Sequence, residues 1–189
     1  MSSLVAAAVE FVLSIDTAIA EAIVSLRRPA LTNVMTSVTG LGSVAAGGVF
    51  LGVAHLAGWR EEFLRAAIAL SLSGVVVALL MATVQRPFPP GPVCVTDGAG
   101  TPTTSFPSGH AAAMVVYAGI ARRSTTLPFV PVAALAAVTA VSRIYLGTHY
   151  LSDTVAGVAL GIIAVLFAEW LLGRVDEDAL AERVGFDVR

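Results

Sequence analysis

From Ala66 to Gln85 the chain runs for twenty residues without a charged side chain. A helix rises about 1.5 Å per residue, so a run of about 20 residues crosses the hydrocarbon core of a bilayer. Leu4–Leu26, Leu41–Gly58, Ser108–Ala121, Thr126–Ser142 and Thr154–Gly173 are further apolar segments, divided by connectors rich in Arg, Pro or Gly. Over the whole chain 57% of residues are hydrophobic and 13% charged, where soluble domains carry about 25% charged residues. The expected fold is all-α: a polytopic membrane helical bundle of about six transmembrane helices, one domain over residues 1–189. The charged segment 174–189 is expected as a cytosolic tail.

Several local expectations follow. On a helical wheel Glu10, Ser14, Thr17, Glu21 and Ser25 form one polar stripe along the first segment. That segment either spans with its stripe turned inward or lies at the interface, and its wide apolar face favours the span. No functional role is expected of its acids, Asp16 included. Pro29 ends this helix, because proline disfavours helical geometry in the residue before it. Ala30–Thr39 then reads as a short interfacial segment. Gly48 with Gly52, and Gly157 with Gly161, have the small-xxx-small spacing of closely packed helices. His55 reads as a packed or interfacial histidine. Phe88–Ser105, rich in Pro, Gly and Thr, is a long connector fit for a lid or binding segment. The net charge of −2 and the lack of long basic runs argue against a nucleic-acid partner. Cys94 is the single cysteine, so no intrachain disulfide can form. Met1–Ala8 contains no Lys or Arg, so no secretory signal peptide is expected.

Chemistry concentrates in Ser142–Asp153, SRIYLGTHYLSD. If helix begins near His149, then His149 and Asp153 share one face a turn apart. A carboxylate there can take one imidazole N–H and leave the other ring nitrogen free as base, nucleophile or ligand. Arg143 offers a planar fork suited to phosphate. Two more stretches complete a pattern: Phe106–His110 reads FPSGH and Gln85–Pro87 reads QRP.

In this order and spacing, RP, PSGH and SR-x5-H-x3-D resemble the type 2 phosphatidic acid phosphatase superfamily. That group includes membrane lipid phosphatases, lipid phosphotransferases, soluble acid phosphatases and vanadium haloperoxidases. The resemblance covers Arg86 to Asp153. It implies a lipid phosphate as substrate, hydrolysed at the membrane face through a phosphohistidine, with no metal or other cofactor. His149 is then the nucleophile and Asp153 orients its ring. His110 protonates the leaving alkoxide and later activates water. Arg86, Arg143, Ser108 and Gly109 bind the phosphate. One departure stands out. The family's first block usually has a lysine seven residues before its arginine; here that position is Leu79, and the chain has no lysine. Gln85 is the expected substitute donor.

Polyprenyl phosphates or diphosphates, phosphatidic acid and phosphatidylglycerol phosphate all fit this reading. Three other readings compete. A lipid phosphotransferase would use an alcohol acceptor in place of water. An inactive bundle would show no turnover. A zinc site on His110, His149 and Asp153 would be sensitive to chelators. The motif face carries Arg27, Arg28, Arg86 and Arg143, and the opposite connectors carry the other seven arginines. The positive-inside rule then places the site on the extracytoplasmic side of the cell membrane. Oligomeric state is not legible in the sequence.

Overall fold

The computed structural model describes residues 3–93, 104–175 and 177–186. The expected lid falls largely on 94–103, outside the described residues. Among those residues the chain forms eight α-helices and one 3-10 turn. They are α1 (Ser3–Ser25), α2 (Pro29–Thr39), the 3-10 turn Gly40–Gly42, α3 (Val44–Leu56), α4 (Arg60–Val84), α5 (Gly109–Ala121), α6 (Phe129–Tyr145), α7 (Leu151–Leu172) and α8 (Glu177–Arg183).

Three helices, α1, α4 and α7, are long and apolar enough to cross a membrane. The segment Pro29–Gly42 and α3 qualify together as one span bent by 55°. The remaining two, α5 and α6, are apolar but have only 13 and 17 residues. At about 1.5 Å per residue they fall short of a ~30 Å hydrocarbon core. The bundle therefore fits the expected helical membrane fold, while a count of six full spans is not established by helix length.

Local chemistry sets the helix boundaries. Pro29 takes the first position of α2 and Pro131 lies in the first turn of α6, where proline lacks only an N–H that has no helical partner. Ser43 and Ser108 cap α3 and α5 through their side-chain oxygens. α2, the expected interfacial segment, packs on the bundle. It runs antiparallel along the end of α6: Tyr145 bonds Arg28 and Thr32, and Thr139 donates to the Val38 carbonyl.

The tightest packing lies between α5 and α7. A Cβ on Gly161 would stand 2.6 Å from the Ala112 carbonyl, and one on Gly157 would strike the Ser108 carbonyl. The small-residue expectation for α7 is thus met by backbone contact. For α3 it is corrected: Gly48 and Gly52 face open space, and Gly47, one residue earlier, packs against Tyr117. The glycine spacing there fixes no contact because the buried face of α3 runs through Gly47 and Ala54. His55 is packed, between the rings of Phe63 and Phe186.

α4, α5, α6 and α7 run alternately up and down. Their order brings the end of α4, the start of α5, the end of α6 and the start of α7 to one end of the bundle. The opposite end holds the ring cluster of His55, Phe63 and Phe186, and the ion pair of Arg123 with Glu169.

Candidate active site

α4 stops at Val84 because Gln85 adopts a left-handed conformation, φ 47° and ψ 42°. The Gln85 side chain turns back to donate to the Ala82 carbonyl. One of its two amide hydrogens is thereby used to cap its own helix. Leu79 is 62% exposed on the outer face of α4. A lysine there would point away from the site.

Arg86 follows in extended chain and is held from three sides. Nη1 donates to Ser152 Oγ at 2.7 Å and to Asp153 Oδ1 at 2.5 Å. Nη2 donates to Asp16 Oδ2 at 2.8 Å, and the guanidinium stacks on the Tyr150 ring, 4.0 Å from its centre. Burial opposes its charge, but the bonds to the two carboxylates outweigh burial and raise its pKa. Asp16 lies off the polar stripe of α1, so the helical wheel does not single it out. It is 2% exposed, whereas every member of that stripe is exposed. The stripe turns outward and Asp16 turns in, the reverse of the expected orientation. Asp16 also accepts from the Ser152 N–H at 2.9 Å and from Ser152 Oγ.

Block two is tied to block one through Ser105. Its N–H donates to the Arg86 carbonyl at 2.7 Å and its hydroxyl to the Pro87 carbonyl at 3.1 Å. The Phe106–Pro107 peptide is cis. Ser108 then opens α5: its oxygen accepts from the Ala111 N–H, and its own N–H donates to the Asp153 carbonyl at 3.0 Å. The first N–H groups of α5, from Gly109 on, therefore lie at a helix N-terminus suited to an anion. Gly42 seats His110 from behind, since a Cβ there would lie 2.8 Å from the His110 carbonyl oxygen.

Block three closes the site. α6 ends at Tyr145, Gly147 turns the chain at φ 67°, and α7 begins at Leu151. The N–H groups of Thr148 and His149 both donate to the Arg143 carbonyl at 3.2 Å. Arg143 Nη1 donates to Thr39 Oγ1 at 2.8 Å. Its charge reaches both imidazoles, His110 and His149. Arg27 straps the rim, donating from Nε to the Tyr145 carbonyl and from Nη1 to the Gly91 carbonyl.

The structure corrects the expected link between His149 and Asp153. His149 precedes the helix, so the two side chains are not stacked a turn apart. Asp153 sits in the first turn of α7, fully buried, and accepts from the Tyr150 N–H at 2.8 Å and from Arg86. His149 Nδ1 instead meets the Ser105 carbonyl. A carbonyl only accepts, so Nδ1 carries the proton and Nε2 keeps its lone pair. Burial first, and the Arg143 charge second, lower the His149 pKa to about 3, so the ring is neutral at physiological pH. Among the described residues no three His, Cys, Asp or Glu side chains converge as a metal-binding set.

Comparison with known proteins gives a consistent result. The family model described as PAP2 superfamily matches residues 62–175. Decaprenylphosphoryl-5-phosphoribose phosphatase of Mycobacterium tuberculosis is 37% identical over 111 residues, 59% of this chain and 62% of the relative. The match thus spans less than two thirds of that relative's length. Phosphatidylglycerophosphatase B of Bacillus subtilis is 28% identical over 172 residues, with 79% of each chain covered. Two solved structures share the fold. One is a transmembrane PAP2 type phosphatidylglycerolphosphate phosphatase from Bacillus subtilis, at TM-score 0.73 and 24% identity, covering 87% of this chain and 88% of that one. The other is LpxE of Aquifex aeolicus, at TM-score 0.68 and 24% identity, covering 80% and 92%. These neighbours and the apolar helices make this a membrane protein, and by the extent of the family match the chain belongs to the PAP2 superfamily.

Proposed function

We propose that this chain is a membrane lipid phosphatase that cleaves a lipid phosphomonoester or diphosphate through a phosphohistidine on His149, without a metal. The observation that carries the reading is the state of His149. It is buried, with Nδ1 fixed by a carbonyl, which leaves Nε2 with its lone pair.

Each step draws on a named group. Arg143 and Arg86, with the N–H groups of Gly109 and His110 and the Ser108 hydroxyl, hold the phosphate oxygens and offset the charge that builds during transfer. His149 Nε2 attacks phosphorus as the bond to the lipid oxygen breaks. The bound anionic phosphate favours the protonated form of His110, which gives its proton to the departing alkoxide. The phosphorylated ring retains its Nδ1 proton and becomes cationic, and the Ser105 carbonyl stabilises that charge. Neutral His110 then takes a proton from water, the hydroxide attacks phosphorus, and the N–P bond breaks. Orthophosphate leaves and His149 returns to its starting tautomer. Asp153 acts at one remove, holding Arg86 and the start of α7.

The substrate class follows from a site at the end of apolar helices and from the lipid phosphates named in the relatives. The arginine distribution supports an extracytoplasmic site in the cell membrane. Arg60, Arg65, Arg122, Arg123, Arg174 and Arg183 belong to the opposite end and outnumber Arg27, Arg28, Arg86 and Arg143 on the motif side.

The test is phosphate release from a panel of lipid phosphates in detergent with EDTA present, run beside His149→Ala. Release that survives EDTA and vanishes in the variant is expected. Release that persists in His149→Ala contradicts the mechanism. Loss of lipid phosphate without free phosphate, but with transfer to an added alcohol, would instead identify a transferase.

A further inference from the structure

α1 is a helix that presents Leu4, Val5, Val9, Phe11, Val12 and Leu13 to its surroundings, and yet it buries a carboxylate. An ionisable side chain inside a membrane segment is costly unless it is paired, and such groups tend to mark function. Asp16 is fully paired. It receives Arg86 Nη2, the Ser152 N–H and the Ser152 hydroxyl. The partners lie 70 and 136 residues away in sequence. They are also the groups around the phosphate end of the site: Ser152 adjoins Asp153, and Arg86 is the arginine of the first motif.

We infer that Asp16 is a positioning residue for the phosphate-binding fork of Arg86, supplied by a helix that precedes the three sequence motifs. This rests on the function proposed above, in which Arg86 meets the phosphate. Two carboxylates bracket the guanidinium, Asp153 on Nη1 and Asp16 on Nη2, while the Tyr150 ring supports its face. With both carboxylates in place the guanidinium plane cannot rotate. Nε and the second hydrogen of Nη2 keep one fixed direction in which to meet an anion. With Asp153 alone, the fork can swing about the Nη1 contacts, and a phosphate then has to order it on binding. Ser152 makes the link two-sided, because its hydroxyl joins Asp16 to Arg86 and its N–H ties Asp16 to the first turn of α7.

The experiment measures orthovanadate binding, a phosphate mimic that needs no turnover, from the vanadate-dependent rise in melting temperature of the detergent-solubilised full chain. Asp16→Asn is expected to weaken vanadate binding by tenfold or more while moving the vanadate-free melting temperature by only a few degrees. In an Arg86→Gln background the same substitution is expected to add less than a twofold loss, because the group that it positions is gone. An equal loss in both backgrounds, or wild-type vanadate affinity in Asp16→Asn, overturns the proposal. If Asp16→Asn does not survive purification, Asp16→Glu carries the comparison. It keeps the charge but displaces the carboxylate by one methylene, so a loss of threefold or more supports the role and unchanged affinity overturns it. The two readings fail separately: turnover that survives His149→Ala contradicts the phosphohistidine mechanism, whereas wild-type vanadate affinity in Asp16→Asn contradicts only the positioning role.

Discussion

Arg143 bears on His149 as well as on the phosphate that it is proposed to bind, because its charge disfavours a second positive charge on the neighbouring imidazole. Arg143→Gln should therefore move the His149 titration to higher pH, which histidine-labelled NMR can follow. A titration that stays put or moves lower would contradict this. The same variant should lose roughly tenfold or more in kcat/KM, the cost of one charge-assisted hydrogen bond at about 1.5–3 kcal/mol. His110→Ala should lower kcat by about 10²–10⁴-fold as a lost general acid, and least for lipids with the most acidic leaving group. Leu79→Lys should leave kcat/KM within about threefold of wild type, because the side chain points outward and can reach the interface along its own stem. At this scale the family pattern was legible because the residue types and their spacing carry it. The bonds of these residues were not. Whether His149 lies inside or before α7 depends on Gly147 turning the chain at positive φ, and that moved the Nδ1 partner from Asp153 to the Ser105 carbonyl.

Between elements, the α5–α7 contact places Ser108 against the start of α7, and it relies on missing side chains. Gly161→Val would have to force its Cβ between the Ala112 carbonyl and Val115, and such overpacking costs about 1–3 kcal/mol. A lower melting temperature with a parallel loss of activity is expected. Gly52→Ala is the contrasting case. Its Cβ would meet nothing within 4 Å, so the higher helix propensity of alanine should leave stability unchanged or raise it by up to about 1 kcal/mol. Glycine spacing was legible as a pattern in both helices, but only tertiary placement says which glycines face a neighbour. On α3 the buried register passes through Gly47. Asp16 was hidden for a related reason. A wheel reports which residues of one helix share a side, and cannot report that Arg86 and Ser152 wait opposite the residue that breaks the stripe.

The whole molecule is a bundle whose motif residues come from the ends of four helices, with a fifth helix bracing one of them. Hydrophobic run length predicted the helical membrane fold, because a span must satisfy its own backbone. It could not fix the number of full spans, since α5 and α6 are short and α2 with α3 is bent. Sidedness is a property at this scale. A reporter fused to the C-terminus should read cytosolic, and intact cells should consume a lipid phosphate supplied from outside; an extracytosolic reading would reverse the proposed orientation. The central claim, covalent catalysis on His149, has one direct measurement. A 32P-labelled lipid phosphate is mixed with the protein, quenched early in turnover, and the protein is digested. The account predicts an acid-labile, alkali-stable label on the peptide that contains His149, and none in His149→Ala. Turnover with no label on that peptide, or label on a different residue, would contradict it.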